Sequence, residues 1–169
     1  MNNWDKLVIL VPLTVALGSC AATSFRTVTP FDSESAKKLL EDGPNTIKGS
    51  AVVRQGRGEV VSCAGRPVYL VPATAYADER MRIVYGRLDH GFSNNRQTFQ
   101  NEPLGYKELV RETHCDARGY FAFRSVADGT FYVASQITWS AGNYSTKRGS
   151  LMKRVTVSNG DTKQIVLAP

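Results

Sequence analysis

The chain has 169 residues, of which 42% are hydrophobic and 21% are charged. This length predicts a single domain, which can bury enough apolar surface to fold without a metal or a disulfide. The formal net charge is +6, and the 21 Lys and Arg residues form no dense block, which argues against a nucleic-acid partner. The basic surface is either simply solvated or contacts anionic lipid, cell-wall polymer or an acidic protein face.

Residues 1–19 predict a lipoprotein signal peptide. The apolar run from Leu7 to Leu17 is too short for a transmembrane helix but suits a secretory signal. The sequence LGSC that ends at Cys20 resembles a bacterial lipobox, which implies cleavage before Cys20 and acylation of that residue. In a Gram-negative envelope, Ala21 after the cysteine implies sorting to the outer membrane. We therefore expect a protein held by lipid at that membrane and facing the periplasm; the alternative is an ordinary signal peptide with an incidental cysteine.

Residues 20–46 predict a tether that contains one short helix. Asp32 or Ser33 can cap its start, "SAKKLLEDGP" carries an apolar stripe, and the Gly–Pro pair ends it. A helix this short is not stable alone, so it must pack on the domain or fray.

From residue 47 to residue 169 the sequence has the pattern of a β-domain. Short runs rich in Val, Ile, Phe, Tyr and Thr alternate with Gly, Asn and Asp, which predicts a two-sheet sandwich. Along Phe131 to Trp139 every second residue is expected on one face. Asn159-Gly160 is a strong turn signal. The predicted strands are "SAVVR", "GEVVSC", "RPVYLVPA", "MRIVYG", "KELVRETHC", "GYFAFRSV", "GTFYVASQITW", "LMKRVTVS" and "TKQIVLA".

The segment 86–106, "GRLDHGFSNNRQTFQNEPLGY", interrupts this pattern because it is polar and has no sustained period. Loops of this length are often functional, although a floppy surface insertion would look the same. We take His90, Asn94, Asn95 and Arg96 from it as a candidate binding surface.

The preceding stretch, "VPATAYADERMRIVYG", places charged residues among apolar ones. Strand alternation would put Tyr76, Asp78 and Arg80 on one face, either as a polar binding face or as protection of an edge strand. Tyr76 and Arg80 therefore join the candidate binding surface. The basic pairs Lys147-Arg148 and Lys153-Arg154 could form a small anion-binding patch or be merely solvated.

Candidates for catalysis and metal binding are few. His114 lies beside Cys115 and Asp116, but neighbouring residues of a strand point to opposite faces, so the three do not form a catalytic group. His90 is the other histidine, and two isolated histidines make a poor metal site. We expect no catalytic residues, no metal and no cofactor.

Three segments, "GRPVYLVP", "THCDARGYFAF" and "SVADGTFYVASQITW", together resemble the carboxypeptidase regulatory-like domain, a transthyretin-like (prealbumin-like) β-sandwich. The turn at 116–119, the strand with Phe121 and Phe123, and the turn at 128–129 carry the resemblance, which spans about 47–169. It implies an all-β antiparallel sandwich with one short N-terminal helix. The chain also resembles a group of uncharacterised bacterial lipoproteins with this domain, which brings no known reaction. The polar insertion departs from the family pattern.

Cys63 and Cys115 remain once Cys20 is assigned to the lipid, and an even number of cysteines in an oxidising compartment favours a disulfide. In the sandwich implied by the resemblance, both would lie at the same end. The alternative is a pair of buried reduced thiols.

These observations favour a non-enzymatic envelope protein attached to the membrane by its N-terminal lipid. Its sandwich would act as a structural or protein-interaction module and bind an envelope protein through an edge or the 86–106 segment. The alternative function is a module that binds carbohydrate or cell-wall ligands, with exposed Tyr76, Trp139 and Tyr144 as stacking platforms.

Overall fold

The computed structural model describes residues 24–56, 58–95, 97–140 and 145–169. The predicted signal peptide, Cys20, Arg96 and Tyr144 lie outside the described residues. The strands are β1 (Ser24–Arg26), β2 (Asn45–Arg54), β3 (Val60–Ser62), β4 (Pro67–Pro72), β5 (His90–Ser93), β6 (Thr98–Gln100), β7 (Arg111–His114), β8 (Tyr120–Val126), β9 (Gly129–Ser140), β10 (Thr146–Val157) and β11 (Thr162–Leu167). The helices are α1 (Ser33–Leu40), α2 (Ala75–Tyr85) and a short 3-10 turn (Lys107–Leu109).

Two sheets form the sandwich, as the strand pattern predicts. The first sheet has five antiparallel strands in the order β5-β10-β9-β4-β7. In the second sheet β2 pairs with β11 in parallel and with β8 and β3 in antiparallel fashion. The turn at Asn159-Gly160 forms, with φ values of 56° and 81°, but it carries the chain from one sheet to the other and closes no hairpin.

The core lies between the two sheets and follows the predicted alternation. Phe131, Val133 and Ile137 of β9 are fully buried there, and Trp139 packs against the same cluster while partly exposed. Burying a side chain of this size contributes about 1.5–3 kcal/mol. The other members of this inner core include Ile47, Ala51, Val68, Leu70, Phe121, Phe123, Leu151, Val155, Val157 and Leu167.

A disulfide joins Cys63, which follows β3 in the second sheet, to Cys115, which follows β7 in the first. The two Cα atoms are 5.8 Å apart, the residues are separated by 52 positions, and both are buried. Because β3 and β7 belong to different sheets, this bond fixes the sheets to each other at one end of the sandwich.

The turn before β8, one of the segments that carry the family resemblance, is stabilised by hydrogen bonds to Asp116. The Asp116 carboxylate accepts hydrogen bonds from the backbone N–H groups of Tyr120 (2.9 Å) and Arg118 (2.8 Å), which lower its pKa. Gly119 has a φ of 82°, and an added Cβ would meet the Ser62 side chain at 2.7 Å. Only glycine fits this position without strain.

The segment 75–85, expected to contribute to a strand, is helix α2, so the chain has a second helix that the predicted fold lacks. The Thr74 hydroxyl caps its start by accepting the Ala77 N–H, and Gly86 ends it in the left-handed conformation. Ala77 and Met81, four residues apart, pack on the side of the first sheet that faces away from the core, against Val71, Tyr132 and Met152. Residues of this segment that share a face are therefore three or four positions apart, as in a helix, and not two apart, as in a strand.

The 86–106 segment is also more ordered than expected, because it contains β5 at the edge of the first sheet and β6. β6 pairs in parallel with β1, so the expected tether contributes a strand to the domain. Ala36 of α1 is buried as well. "KELVRETHC" forms the 3-10 turn followed by the short strand β7 rather than one strand. Within the described ranges, each helix is too short or too polar to cross a bilayer.

Candidate functional site

A groove opens on the outer face of the first sheet, the face opposite the inner core. It has a volume of about 520 Å³ and is lined by α2, by the chain from β6 to the 3-10 turn and by strands of the sheet. We call it the outer groove. It exists because α2 covers the Val71, Tyr132 and Met152 side of this face and leaves the neighbouring part of the sheet open.

Outward-pointing residues of the central strands form the floor of the outer groove. Val68 and Leu70 point into the core, so Tyr69 between them points outward, where its cross-strand neighbour is Ala134. Tyr69 is half-buried, and partial burial followed by the nearby Glu112 carboxylate raises the pKa of its hydroxyl. The floor thus presents one aromatic ring with a carboxylate beside it.

Arg80 of α2 holds one wall of the groove in place. Its guanidinium lies 3.9 Å from the centre of the Phe99 ring and 4.6 Å from that of Tyr106, and it pairs with Glu102 at 2.9 Å. Lys107 pairs with the second oxygen of Glu102 at 3.0 Å. Stacking and charge pairing together fix β6 and the residues after it against the helix.

An aromatic cluster lies behind this wall. The ring of Tyr106 meets that of Tyr76 at 5.0 Å and that of Phe31 at 5.4 Å, both edge to face. Tyr106 is buried, which raises its pKa to about 12. These ring contacts pack the wall of the outer groove against α2 and the N-terminal segment.

The N-terminal segment supports the same wall from outside. Phe25 of β1 lies 6.4 Å from Phe99, centre to centre. The Glu79 carboxylate of α2 accepts the N–H of Val28 at 2.9 Å and the N–H of Thr29 at 2.8 Å. A side-chain hydrogen bond with Thr29, followed by these backbone bonds, lowers the pKa of Glu79.

A second, more polar concavity of about 340 Å³ adjoins the outer groove, and we call it the polar annex. Val84 and Ser150 line both spaces, and the hydroxyls of Tyr85 and Ser150 are hydrogen-bonded at the junction. The side chains that line the annex alone carry mostly amides, with one hydroxyl and one guanidinium, namely Ser93, Asn94, Asn95, Gln97, Gln136 and Arg148.

The residues predicted to form one binding surface do not lie together in the structure. Arg80 lies in the groove wall, and Asn94 and Asn95 line the annex. Tyr76 is 1% exposed and packs behind the wall, so its expected role as a stacking platform is wrong. His90 lies on β5 with its Nδ1 2.8 Å from Asp89, and lines neither space.

The expected platform at Trp139 and the basic patch also need correction. Trp139 faces the inner core, 6.4 Å from Phe92, and is not a free outward ring. Of the two basic pairs, only Arg148 lines the annex, while Arg154 lies 5.9 Å from the Tyr132 ring on the part of the sheet next to α2. The four basic residues therefore do not form one patch.

Four residues that line the groove or the annex were not predicted as binding residues, namely Tyr69, Tyr85, Phe99 and Gln136. Tyr69 and Gln136 could have been found by alternation, because both stand between inward-pointing residues of central strands. Tyr85 required α2 to be recognised. No local pattern marks Phe99, because its place depends on pairing between β6 and the distant β1.

Comparison with known proteins gives one informative likeness. No family model matches the chain, and no curated protein matches it. The chain is similar to a protein from Pseudomonas aeruginosa whose 2.61 Å crystal structure is described as that of a "putative carbohydrate binding protein". The TM-score is 0.65 and the identity 26%, over 83% of this chain and 99% of that chain. The likeness extends over nearly all of the other protein, so the two share a fold.

Proposed function

We propose that this protein binds carbohydrate and that the outer groove is the binding site. The observation that carries the proposal is the Tyr69 ring on an open floor, with Glu112 and Lys107 at its margins. Sugar rings place their C–H faces on aromatic rings, while their hydroxyls bond to charged and amide groups. A mainly apolar cleft with a few convergent polar groups, and of this volume, is typical of small-ligand sites. The description of the structural neighbour supports the same class of ligand.

Tyr69 is the ring best placed for stacking. One side of Phe99 is taken by the Arg80 guanidinium, and Tyr106 is 8% exposed. Tyr69 is half-buried and has Ala134, a small residue, as its neighbour on the floor, so a ligand can approach its ring. In this proposal Arg80 stabilises the wall of the groove and does not have to contact the ligand.

The proposed role is binding without catalysis. In the described part of the chain, His90 and His114 lie on β5 and β7, the opposite edges of the first sheet. Each histidine contacts a carboxylate that is one or two positions away in sequence, Asp89 for His90 and Glu112 for His114. Neither histidine lines the outer groove, which supports a site that holds a ligand and leaves it unchanged.

The binding test compares two tyrosines on opposite surfaces. Purified protein is applied to an array of oligosaccharides, and the best ligand is then titrated by calorimetry. We expect Tyr69→Ala to weaken binding about five- to thirtyfold, since loss of one stacking ring costs about 1–2 kcal/mol. Tyr120→Ala is the matched control, because Tyr120 is 55% exposed on the second sheet. Equal affinity of all three proteins for every saccharide, or no binding at all, would refute the proposal.

We also propose that the domain is of the transthyretin-like, carboxypeptidase regulatory-like type. The two-sheet architecture and the turns at 116–119 and at Gly129 support this assignment. An experimental structure tests it, since that class requires its strand order and connections to be reproduced from β2 to β11.

We propose further that a lipid on Cys20 anchors the protein in the cell envelope, facing the periplasm at the outer membrane. The lipobox-like sequence before Cys20 supports this. We expect Cys20→Ser to yield an uncut or soluble precursor in membrane fractionation. A shortened Cys20→Ser chain that still sediments with membranes would contradict lipid attachment at this residue.

A second candidate function is docking to an envelope protein through the outer face of the second sheet. Tyr120 and Val166 are 55% and 47% exposed on this face, and Lys48 and Arg124 are exposed on the same face. In-cell crosslinking followed by purification tests this function. A stoichiometric partner lost on Tyr120→Ala but retained in Tyr69→Ala would support docking, and its retention in both variants would place any partner elsewhere.

A further inference from the structure

We propose that the ligand of this site is an acidic oligosaccharide, with its neutral part in the outer groove and a carboxylate or other anionic group in the polar annex at Arg148. This inference rests on the proposed carbohydrate-binding function and adds the charge and the minimum length of the ligand. Three features of the structure carry it: the charge balance of the groove, the annex guanidinium that has no carboxylate partner among the described residues, and the direct contact between the two spaces.

The charges that line the outer groove balance one another. Arg80 and Lys107 share the Glu102 carboxylate, at 2.9 Å and 3.0 Å, and Glu112 supplies a second negative charge nearby. An anion in this space would find Arg80 and Lys107 already paired with Glu102, and it would be repelled by Glu112. The outer groove therefore suits the uncharged face of a sugar ring better than an ionic group.

The polar annex, in contrast, is lined by a net positive charge. Arg148 is exposed on the outward side of β10 and is the only charged residue among those that line the annex in the described ranges. Across residues 24–56, 58–95, 97–140 and 145–169, no salt bridge or hydrogen bond pairs Arg148 with a carboxylate. Among the remaining residues of the sequence the one Asp or Glu is Asp5, which belongs to the predicted signal peptide.

The neighbours of Arg148 suit a carboxylated sugar. A guanidinium binds carboxylate through two parallel hydrogen bonds. The amides of Asn94, Asn95 and Gln136 supply both donors and acceptors, which is what ring hydroxyls require. An annex that bound only a small inorganic anion would gain little from the four side-chain amides that line it.

The two spaces adjoin each other, so a single ligand that occupies both has a minimum length. Ser150 lines both, and its cross-strand neighbour Gln136 lines the annex. Each space alone is within the usual volume of a small-ligand site. A ligand that reaches from Tyr69 to Arg148 therefore needs at least two linked rings.

The test uses pairs of tetrasaccharides that differ only in charge. Each uronic-acid tetrasaccharide on an array is matched with its carboxyl-reduced, neutral counterpart, and the best pair is titrated by calorimetry. The proteins are the wild type, Arg148→Gln and the control Arg124→Gln, which removes an equal charge from the outer face of the second sheet. Circular dichroism and a melting curve establish that each variant is folded.

We expect the wild type and Arg124→Gln to prefer the acidic tetrasaccharide by about tenfold or more, as one charge-assisted contact of this kind provides. Arg148→Gln should lose this preference and keep its affinity for the neutral counterpart. Equal binding of both sugars by the wild type, or a preference unchanged in Arg148→Gln, would overturn the acidic ligand and leave the carbohydrate function standing. Absence of binding to either sugar anywhere on the array would overturn both.

Discussion

The two faces of the first sheet differ in their composition and in how completely they are covered. The inner face is closed, is made of aliphatic and phenylalanine side chains, and is tied to the second sheet by the Cys63–Cys115 bond. The outer face is half covered by α2 and half open, and the open half combines Tyr69 with charged and amide groups. The same strands supply both faces by alternation. Residues of the open half can therefore serve binding without weakening the core that holds the strands in place.

The sharpest test of this division is a pair of aromatic truncations on neighbouring strands. Phe131 is fully buried on the inner face, and we expect Phe131→Ala to lower the free energy of unfolding by about 3–5 kcal/mol. Tyr69→Ala, on the half-open face, should cost about 1 kcal/mol and act mainly on ligand affinity. Urea unfolding measures both changes. Similar losses of stability would show that the outer face also holds the fold together.

The disulfide offers the next largest effect. Replacing both Cys63 and Cys115 by Ala removes a link across 52 positions, and we expect a loss of about 2–4 kcal/mol in the free energy of unfolding. Because the bond lies at the end of the sandwich and lines neither the groove nor the annex, affinity for the saccharide should be unchanged in the folded protein. An affinity that falls with stability would mean that the two faces are coupled.

Alkaline pH tests the wall of the outer groove. The pKa of Tyr106 is raised to about 12 in the folded protein, whereas an unfolded tyrosine titrates near 10. Between these values the unfolded state holds fewer protons, so stability falls as pH rises, by up to about 1.4 kcal/mol per pH unit for this group. Unfolding at pH 9.5 to 11.5 should show a shallower decline in Tyr106→Phe than in the wild type. Identical slopes of stability against pH in the two proteins would show that the Tyr106 hydroxyl is solvated in the folded state.

The smallest effect concerns the N-terminal segment. The pKa of Glu79 is lowered, so its hydrogen bonds to the segment persist above the ordinary carboxyl pKa and are lost as pH falls through the lowered value. We expect Glu79→Ala to speed hydrogen exchange at the amides of Val28 and Thr29 and to leave global stability nearly unchanged. Glu34→Ala, an exposed change on α1, is the control. Unaltered exchange at both amides would show that other contacts hold the segment.

Local sequence patterns were sufficient to predict the inner core but not the outer groove and the polar annex. The strands around Phe121 and Phe131 show a two-residue period because one side of each meets the core, and the turn at Asp116 carries its own hydrogen-bonding chemistry. These features depend on neighbours in sequence. They could therefore be predicted without knowledge of the fold.

The elements that form the groove lacked such a signal. The 75–85 segment contains β-branched and aromatic residues between predicted strands, and its capping residues, Thr74 and Gly86, were the only local sign of a helix. The outer groove combines β4, α2 and β6, which are distant in sequence, so its lining follows from tertiary packing. Asn94 and Asn95 were found because a polar loop next to a sheet is itself a local feature.

The parallel pairing of β2 with β11 has a consequence for the order of folding. Asn45 at the start of β2 accepts the Asp161 N–H across 116 positions, and Gly49 lies so close to the Ile165 carbonyl that an added Cβ would be 2.1 Å from that oxygen. Bringing such distant segments together costs more loop-closure entropy than forming the β9–β10 pair, whose strands adjoin in sequence. We therefore expect the second sheet to be completed late, with the edge of β2 exposed to aggregation until β11 arrives.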